Sequence, residues 1–368
     1  MGVLEKRLWM LILHSRWGSK KGNKTLIEPI DFVILWVDGS DEEWRAEKNK
    51  YLSLYNKYGV DGSDKRYREF GLLKYWFRGV EKFAPWVRNV FFVTSGQLPE
   101  WINLNAKNLV WIKHEDFIPK EYLPTFSANP IELNMHRIPG LAEKFVFFND
   151  DMYILRPLPI EHFFRDGFPV MNPQASLTVP PNGINQHAHL LLNNVMTINQ
   201  HFNAREVIKR DAGKWISPIK VGWKNAIKNV LPVYLEYFPG FKLPHLPAPF
   251  LRSTLQAVWH EEEKQLIETS YNRFRSNNDL TQYLFSEWQL ATGMFVPEKA
   301  KILGQYYELD GNQNNVEKIS CVIRNKKQPI ICINDVLDAV NDQEYKSISE
   351  TIVDAFDSIL PEKSKYEK

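Results

Sequence analysis

Only two cysteines, Cys321 and Cys332, occur among 368 residues. Their spacing fits neither a CxxC redox pair nor a zinc knuckle. A disulfide scaffold is therefore excluded and a reducing compartment implied, with one bridge between neighbouring strands left open. An excess of one charge is also missing. Lys and Arg number 46 against 44 Asp and Glu, a formal net charge of +2, which speaks against bulk nucleic-acid binding. No apolar run approaches the roughly 18 residues of a membrane span. The dinucleotide fingerprint GxGxxG, the phosphate-binding loop, the nucleophile elbow GxSxG, the kinase motif set and HExxH are all absent. With 44% apolar and 24% charged residues, the chain is neither disordered nor collagen-like.

The length fits two domains or one large one, on a prior of about 150 residues per domain. Residues 1–29 read as a helical extension with a Gly/Lys/Asn linker. Its apolar core, Leu8 to Leu13, is flanked by Lys6, Arg7, Arg16, Lys20 and Lys21. That core is too short for a signal peptide, and no small-residue cleavage site follows it. It reads as a surface helix or as a basic helix touching an anionic membrane.

From Ile30 to about Leu158, apolar strands alternate with helical patterns. Phe32–Val37, Val90–Val93, Leu109–Ile112 and Phe145–Phe148 are continuous apolar runs, as expected of strands buried on both faces. Arg68 to Phe83 carries apolar residues at helical spacing, and Pro85 stops it. The alternation predicts an α/β, Rossmann-like, mostly parallel sheet flanked by helices over residues 30–170. Residues 171–368 are predicted as a mainly helical region that covers the strand ends and completes the site. A helix capped by Ser253 and running past Ile267, a helix from about Leu280 to Met294, a strand Pro329–Ile333 and a helix over 348–360 are expected there.

Ligands of open α/β sheets bind beyond the carboxyl ends of the strands, and here those ends are polar. One strand runs into Asp38-Gly39-Ser40-Asp41, one into Thr94-Ser95-Gly96-Gln97, one into His114-Glu115-Asp116 and one into Asn149-Asp150-Asp151. Adjacent carboxylates after a buried strand read as a divalent-cation site, since hard cations take oxygen ligands, or as a helix N-cap. The WVDGSD stretch, 36–41, reads as a ligand loop in which Gly39 admits close backbone approach, or as an Asp-Gly turn. His245 sits in the stiff Pro244-His245-Leu246-Pro247 segment and suits a general base, or a surface loop. His136-Arg137 and Arg275 offer phosphate clamps or ordinary ion pairs. Lys214–Val230 is basic and amphipathic, with Trp215, Ile219, Trp223 and Ile227 among Lys220, Lys224 and Lys228. It reads as a membrane-facing guide for an anionic lipid-linked acceptor or as a packed helix.

Taken together, four segments resemble the Stealth family of sugar-1-phosphate transferases of bacterial capsule synthesis, relatives of the animal lysosomal-enzyme N-acetylglucosamine-1-phosphotransferase. The first is IDFVILWVDGSD, 30–41. The second runs from Arg66 to Leu158 and includes KFAPWVRNVFFVTSGQLPEWI, LPTFSANPIELNMHRIPGL and KFVFFNDDMYI. The third is LPHLPAPFLRSTLQAVW with FRSNNDLTQYLFSEWQLATG, 274–293. The fourth is CINDV, 332–336, with ILPEKSKYE, 359–367.

That resemblance implies transfer of a hexose-1-phosphate or N-acetylhexosamine-1-phosphate from a UDP-sugar to a glycan hydroxyl, releasing UMP, in capsular or cell-surface polysaccharide synthesis. It implies Mg²⁺ or Mn²⁺ as cofactor, held by Asp150 and Asp151. Asp150, His245 and Arg275 become the catalytic candidates: His245 as base, or as a phospho-acceptor, and Arg275 as phosphate clamp. Asp150 as the base, with His245 positioning, is the alternative. Trp36, Asp38, Gly39, Asp41, Arg68, His136, Arg137 and Asn149 become the substrate-binding candidates. The implied acceptor is an oligosaccharide or lipid-linked glycan. The cysteine content and the basic amphipathic segments, rather than the resemblance, point to the cytoplasm, at the inner face of the plasma membrane, with peripheral membrane contact, and the near-neutral charge to no nucleic acid. The competing expectations are an inverting glycosyltransferase that releases UDP, and a non-catalytic glycan-binding protein of the capsule machinery.

Overall fold

The computed structural model describes residues 28–55, 71–179, 186–337 and 340–368. The expected N-terminal helix over Leu8–Leu13 and the candidate Arg68 lie outside the described residues.

Eleven strands are found among the described residues: β1 (Ile30–Leu35), β2 (Val90–Thr94), β3 (Leu109–Lys113), β4 (Lys144–Phe148), β5 (Met152–Ile154), β6 (Phe164–Arg165), β7 (Phe168–Met171), β8 (Ala248–Leu251), β9 (Val296–Pro297), β10 (Gln305–Leu309) and β11 (Ile330–Asp335). The main sheet has the order β3-β2-β1-β4-β8. Its first four strands are parallel and β8 joins antiparallel on the β4 edge. The central strands are largely apolar because both faces are covered: every residue of β2 and β4 is buried, Lys144 at the start of β4 included. A carboxylate is buried in this core as well. Asp31 of β1 is fully buried and accepts from Arg88 Nε at 2.8 Å and from the Ala142 amide at 2.7 Å, so the charge is paired and hydrogen-bonded as burial requires.

The amphipathic helix Leu73–Phe83 covers one face, placing Trp76 edge-on to Phe148 at 5.4 Å and Phe77 edge-on to Phe92 at 5.6 Å. Burying each such ring stabilises by roughly 1.5–3 kcal/mol. The C-terminal stretch, part of the fourth motif, closes on this helix: Glu367 holds Arg78 through two bonds of 2.9 and 2.8 Å, and Tyr366 packs on Phe77.

At the end of β4 the chain turns through Asn149-Asp150-Asp151 and leaves the main sheet. It enters a second, three-stranded sheet of order β10-β11-β5, in which β11 runs antiparallel to β5. A third sheet, β6-β7-β9, pairs β7 with β9. Pairings β4–β8 and β5–β11 join strands before position 170 to strands after it, and β7, which spans that position, pairs with β9.

Several local expectations are corrected. The helix ending at Phe83 starts at Leu73. The long helix after Ser253 is two, Arg252–Glu261 and Glu263–Ser270, and Ser253 does not cap it; its hydroxyl bonds to Glu143 Oε1 at 2.5 Å. The next helix is shorter, Tyr283–Thr292, and ends on Gly293 in the left-handed region, as helix C-termini favour. The last helix spans Asp342–Asp357. Lys214–Val230 is not one helix but the short pieces Ala212–Trp215, Pro218–Val221 and Trp223–Lys228. Both cysteines are free, Cys321 exposed and Cys332 buried, so no bridge joins them.

Candidate active site

The turn between β4 and β5 gathers side chains from four distant segments. Asp151 stands first in this arrangement. Because β5 pairs with β11, Met152 lies opposite Cys332 and the Ile333 amide donates to the Asp151 carbonyl at 2.8 Å. That register puts Cys332 Sγ 3.1 Å from Asp151 Oδ2. The Pro-rich segment before β8 brings His245, whose Nε2 lies 3.4 Å from the same Oδ2. His245 Nδ1 meets the hydroxyl of Tyr283, the first residue of the Tyr283–Thr292 helix, at 2.8 Å. Asp151, His245 and Cys332 form one compact group of ligand-type atoms.

The fourth segment is the helix Ala128–Leu133, which buries Glu132. Glu132 lies within electrostatic reach of both His245 and Arg275. Arg275 belongs to the 272–279 loop, tied down by Asp279. That fully buried carboxylate accepts from Asn272 at 2.7 Å, from Asn129 at 2.8 Å and from the Ser276 amide at 3.0 Å. Asn129 shares its helix with Glu132, so the loop carrying Arg275 is locked to the segment carrying Glu132.

Burial and charge set the protonation of the group. For His245, burial disfavours the imidazolium, but the Asp151 carboxylate, aided by Glu132 and Asp150, outweighs it and raises the pKa above its ordinary value. Burial pushes Glu132 up to about 6, against the pull of Arg275 and His245. Burial, reinforced by Asp151, pushes Cys332 far up, so it is a thiol that donates to the carboxylate rather than a thiolate. Tyr283 is raised by burial and by Glu132 and Asp151, and stays a phenol.

The chemistry this allows is proton transfer. A phenol both donates and accepts, so Tyr283 supports either tautomer of His245. With Nδ1 protonated and donating to Tyr283, Nε2 is left as a lone pair on the Asp151 side, the state a general base needs. The 3.4 Å separation from Asp151 is longer than an ordinary N–H···O bond.

The remaining candidates fall elsewhere. Asp38 Oδ1 accepts from the Ser40 amide and hydroxyl at 2.8 and 2.6 Å, its backbone amide donates to Gln97 Oε1 at 3.0 Å, and Gly39 lies in the same turn. Asp41 Oδ1 accepts from the Trp44 amide at 2.7 Å and caps the helix Glu42–Tyr55. Trp36 is buried against Phe92. His136 is buried against Trp259, and burial, with Arg137 adding, pushes its pKa down to about 3, so it stays neutral. The Arg137 guanidinium stacks over Trp259 at 4.7 Å. Asn149 lies in the Asp150 turn, its carbonyl accepting from Met152 at 3.3 Å. Glu132, Tyr283 and Cys332 were not singled out from the sequence. Each lies inside a motif segment, but a lone Glu, Tyr or Cys there carries no spacing signal.

With this geometry in view, comparison with known proteins decides the family. Conserved region 1 of the Stealth proteins matches residues 28–55, and conserved region 2 matches residues 66–170. The receptor polysaccharide phosphotransferase WefC of Streptococcus gordonii is 42% identical over 346 residues, 93% of this chain and 100% of its own.

The chain belongs to the Stealth family.

Other relatives agree with that Stealth assignment. A capsular polysaccharide phosphotransferase WcwK of Streptococcus pneumoniae is 40% identical over 92% of this chain and 99% of its own. The exopolysaccharide phosphotransferase cps2G of Lactiplantibacillus plantarum is 37% identical over 92% and 96%. Among solved structures, galactosyltransferase LgtC in complex with donor and acceptor sugar analogues aligns over 89% of this chain and 96% of its own, at 8% identity and a TM-score of 0.36, too loosely to bear on the site. This Stealth protein is accordingly a transferase. Conserved region 1 contains Asp38 and Asp41, and conserved region 2 contains Glu132, Asp150 and Asp151. His245, Arg275, Tyr283 and Cys332 are supplied from beyond both regions.

Proposed function

We propose that this protein transfers a hexose-1-phosphate or N-acetylhexosamine-1-phosphate from a UDP-sugar to a hydroxyl of an oligosaccharide or lipid-linked glycan, in the synthesis of a capsular or other cell-surface polysaccharide. The acceptor oxygen attacks the phosphorus that bears the sugar. The P–O bond of the phosphoanhydride breaks, UMP leaves, and a sugar phosphodiester is formed. The proton of the acceptor hydroxyl passes to His245 Nε2, and Asp151 stabilises the resulting imidazolium. Arg275, set beside Glu132 by the Asp279-locked loop, faces the negative charge that accumulates on the transferring phosphoryl oxygens.

The observation that carries this reading is the Asp151–His245–Tyr283 chain, at 3.4 and 2.8 Å, formed at the end of β4 in a Stealth protein. It provides a base with an orienting carboxylate on one side and an orienting hydroxyl on the other. The donor set also suits Mg²⁺ or Mn²⁺. Asp151 Oδ1 is buried without a hydrogen-bond partner among the described residues, and magnesium is commonly held by one or two carboxylates together with substrate phosphates. Asp150 and Asp151 would hold the ion, which when bound neutralises charge on the diphosphate. The free thiols of Cys321 and Cys332 support a cytoplasmic site of action.

Nucleotide product analysis tests the reading. The protein is incubated with UDP-N-acetylglucosamine and its epimers, Mg²⁺ or Mn²⁺, and a capsule oligosaccharide primer. UMP, with a primer mass gain of one sugar phosphate, is expected. UDP with a plain sugar gain would replace this reading with ordinary glycosyl transfer.

A further inference from the structure

An exposed apolar and basic stretch lies on Pro218–Val221, Trp223–Lys228 and the turn Leu231–Tyr234. Ile219 is 84% exposed, Trp223 74%, Ile227 70% and Tyr234 73%, and Leu231 is also exposed. Lys220, Lys224 and Lys228 are exposed on the same two helices. No Asp or Glu occurs between positions 212 and 235.

This face is held firmly from beneath. Val221 and Ala226 are buried. Asn229, fully buried, donates to the carbonyls of Trp215 and Pro173 at 2.7 and 2.8 Å and accepts from the Ala175 amide at 2.7 Å. Trp215, from the neighbouring short helix, is fully buried among Phe238, Phe241 and Phe295. The segment therefore has an inner face that is buried and packed and an outer face that is apolar, aromatic and basic. Single exposed apolar residues are ordinary, but a run of them this close in sequence, interleaved with lysines, marks an interaction surface.

We propose that this face docks, in the plane of the interface, on an anionic lipid bilayer. Isoleucine and leucine would enter the acyl boundary, while Trp223 and Tyr234 suit the headgroup level, where amphipathic rings concentrate. The three lysines keep their ammonium groups at the anionic surface while their stems lie along apolar neighbours. No helix among the described residues is long and apolar enough to cross a membrane, so the contact is peripheral. A second copy of this chain is a poorer occupant: a two-fold contact would set lysine clusters against each other with no carboxylate in the segment to pair them.

Co-sedimentation of the full chain with phosphatidylglycerol-containing vesicles and with pure phosphatidylcholine vesicles tests this. Binding to the anionic vesicles that weakens with salt is expected. Lys220→Gln/Lys224→Gln/Lys228→Gln lowers the partition constant on the order of a hundredfold, since each lysine contributes roughly a factor of five near the surface. Trp223→Ser/Ile227→Ser lowers it about tenfold or more. Anionic vesicles are also expected to protect wild-type protein from trypsin at Lys220, Lys224 and Lys228, a measurement that needs no variant. Equal binding to neutral and anionic vesicles, no binding to either, or unchanged binding of both variants would overturn the proposal; the last would move the contact to another segment. A dimer in velocity sedimentation without lipid, abolished by Trp223→Ser/Ile227→Ser, would make this face an interface between copies instead.

Discussion

The acidic run after β1 and the acidic run after β4 look alike in sequence and differ in what they do with their oxygens. The carboxylates of Asp38 and Asp41 bond within five residues of themselves: Asp38 Oδ1 to Ser40, Asp41 Oδ1 to the Trp44 amide. Asp151 faces His245, 94 residues on, at 3.4 Å and accepts from Cys332, 181 residues on, at 3.1 Å. The first run builds its own turn and starts a helix. The second is completed by four other segments, and the Asp151 carboxylate keeps one buried oxygen without a hydrogen-bond partner among the described residues. Local hydrogen bonds lower the cost of a polar loop, whereas a carboxylate that meets an imidazole, a thiol and a neighbouring phenol is arranged for proton chemistry. Asp31, in the same motif as Asp38, marks the opposite extreme, a buried carboxylate fully used in holding β1 to Arg88.

Removing the imidazole tests the contrast hardest. His245→Ala is expected to lower kcat/KM on the order of a thousandfold, within the range for a lost general base. Asp151→Asn should also cut kcat severely, and it should move the pH profile. In wild type the unprotonated base forms as pH rises through a His245 pKa lying above its ordinary value. Activity therefore climbs above that ordinary value. Without the carboxylate, burial acts with less opposition, and the acidic limb should move to lower pH. An unmoved limb would detach His245 from the titration. The same shift has a stability sign: the stabilisation that the protonated ring gains from Asp151 is present at low pH and lost as pH rises through the raised pKa.

Glu132 sharpens the comparison from the side of stability. Its carboxyl is raised from 4.5 to about 6 because burial outweighs the attraction of Arg275 and His245. The folded state thus holds a proton that the unfolded chain has lost, and stability falls as pH rises from 4.5 through about 6. The loss amounts to about 2 kcal/mol. Glu132→Gln cannot ionise and should lack that fall, gaining thermal stability over wild type at pH values above 6 and less below 4.5. Denaturant melts across this range would show a constant difference if Glu132 were instead unperturbed.

Tyr283→Phe should act more mildly. It keeps the ring of a half-buried tyrosine and removes only the bond to His245 Nδ1. About a tenfold loss in kcat with little change in KM is expected, as for a lost orienting hydrogen bond. Tyr283 is a positioning residue on this reading, so its effect should fade in the His245→Ala background. Additive losses in the double variant would separate the two.

The legibility of this molecule in its sequence follows the same division. Strands buried on both faces announce themselves as apolar runs, and β1 to β4 appear within two residues of where FVILWV, VFFV, LVWI and FVFF place them. The Asp38–Asp41 turn and the helix it starts use residues a few positions apart, so both are written locally. β11 also appears at Ile330–Asp335, where a strand Pro329–Ile333 is expected, whereas β8 and β10 are harder to read, because what selects them is the edge they complete. The site is hardest. Asp150-Asp151 stands out as a doublet and His245 by its prolines, but the lone Tyr283, Glu132 and Cys332 have no spacing to betray them. Only the β5–β11 register puts Cys332 beside Asp151. Amphipathic spacing across Lys214–Val230 conveys its two-faced character and misses its break, since Gly222 takes φ 86° between the two short helices, a conformation open to glycine and not to neighbouring Val221 or Trp223.

Asp41→Ala is the smallest perturbation and the sharpest control on the division itself. The side chain accepts the Trp44 amide, one of the donors that a helix start leaves without an intrahelical partner. Removing it should cost about 1 kcal/mol, the usual value for an N-cap Asp. The effect should reach the small cluster of Trp44, Phe126 and Phe274, because Trp44 is carried on that helix and stacks edge-on to Phe126 at 5.7 Å. Phe274 precedes Arg275 in the chain, so loosening the cap has one route toward the site. If Asp41 is only a cap, the melting temperature falls by a few degrees while kcat and KM for the donor stay within about twofold. A KM for the nucleotide-sugar that rises tenfold at unchanged kcat, with the expected stability loss, would show instead that the carboxylate also meets the donor. The two acidic runs would then face one substrate from opposite ends.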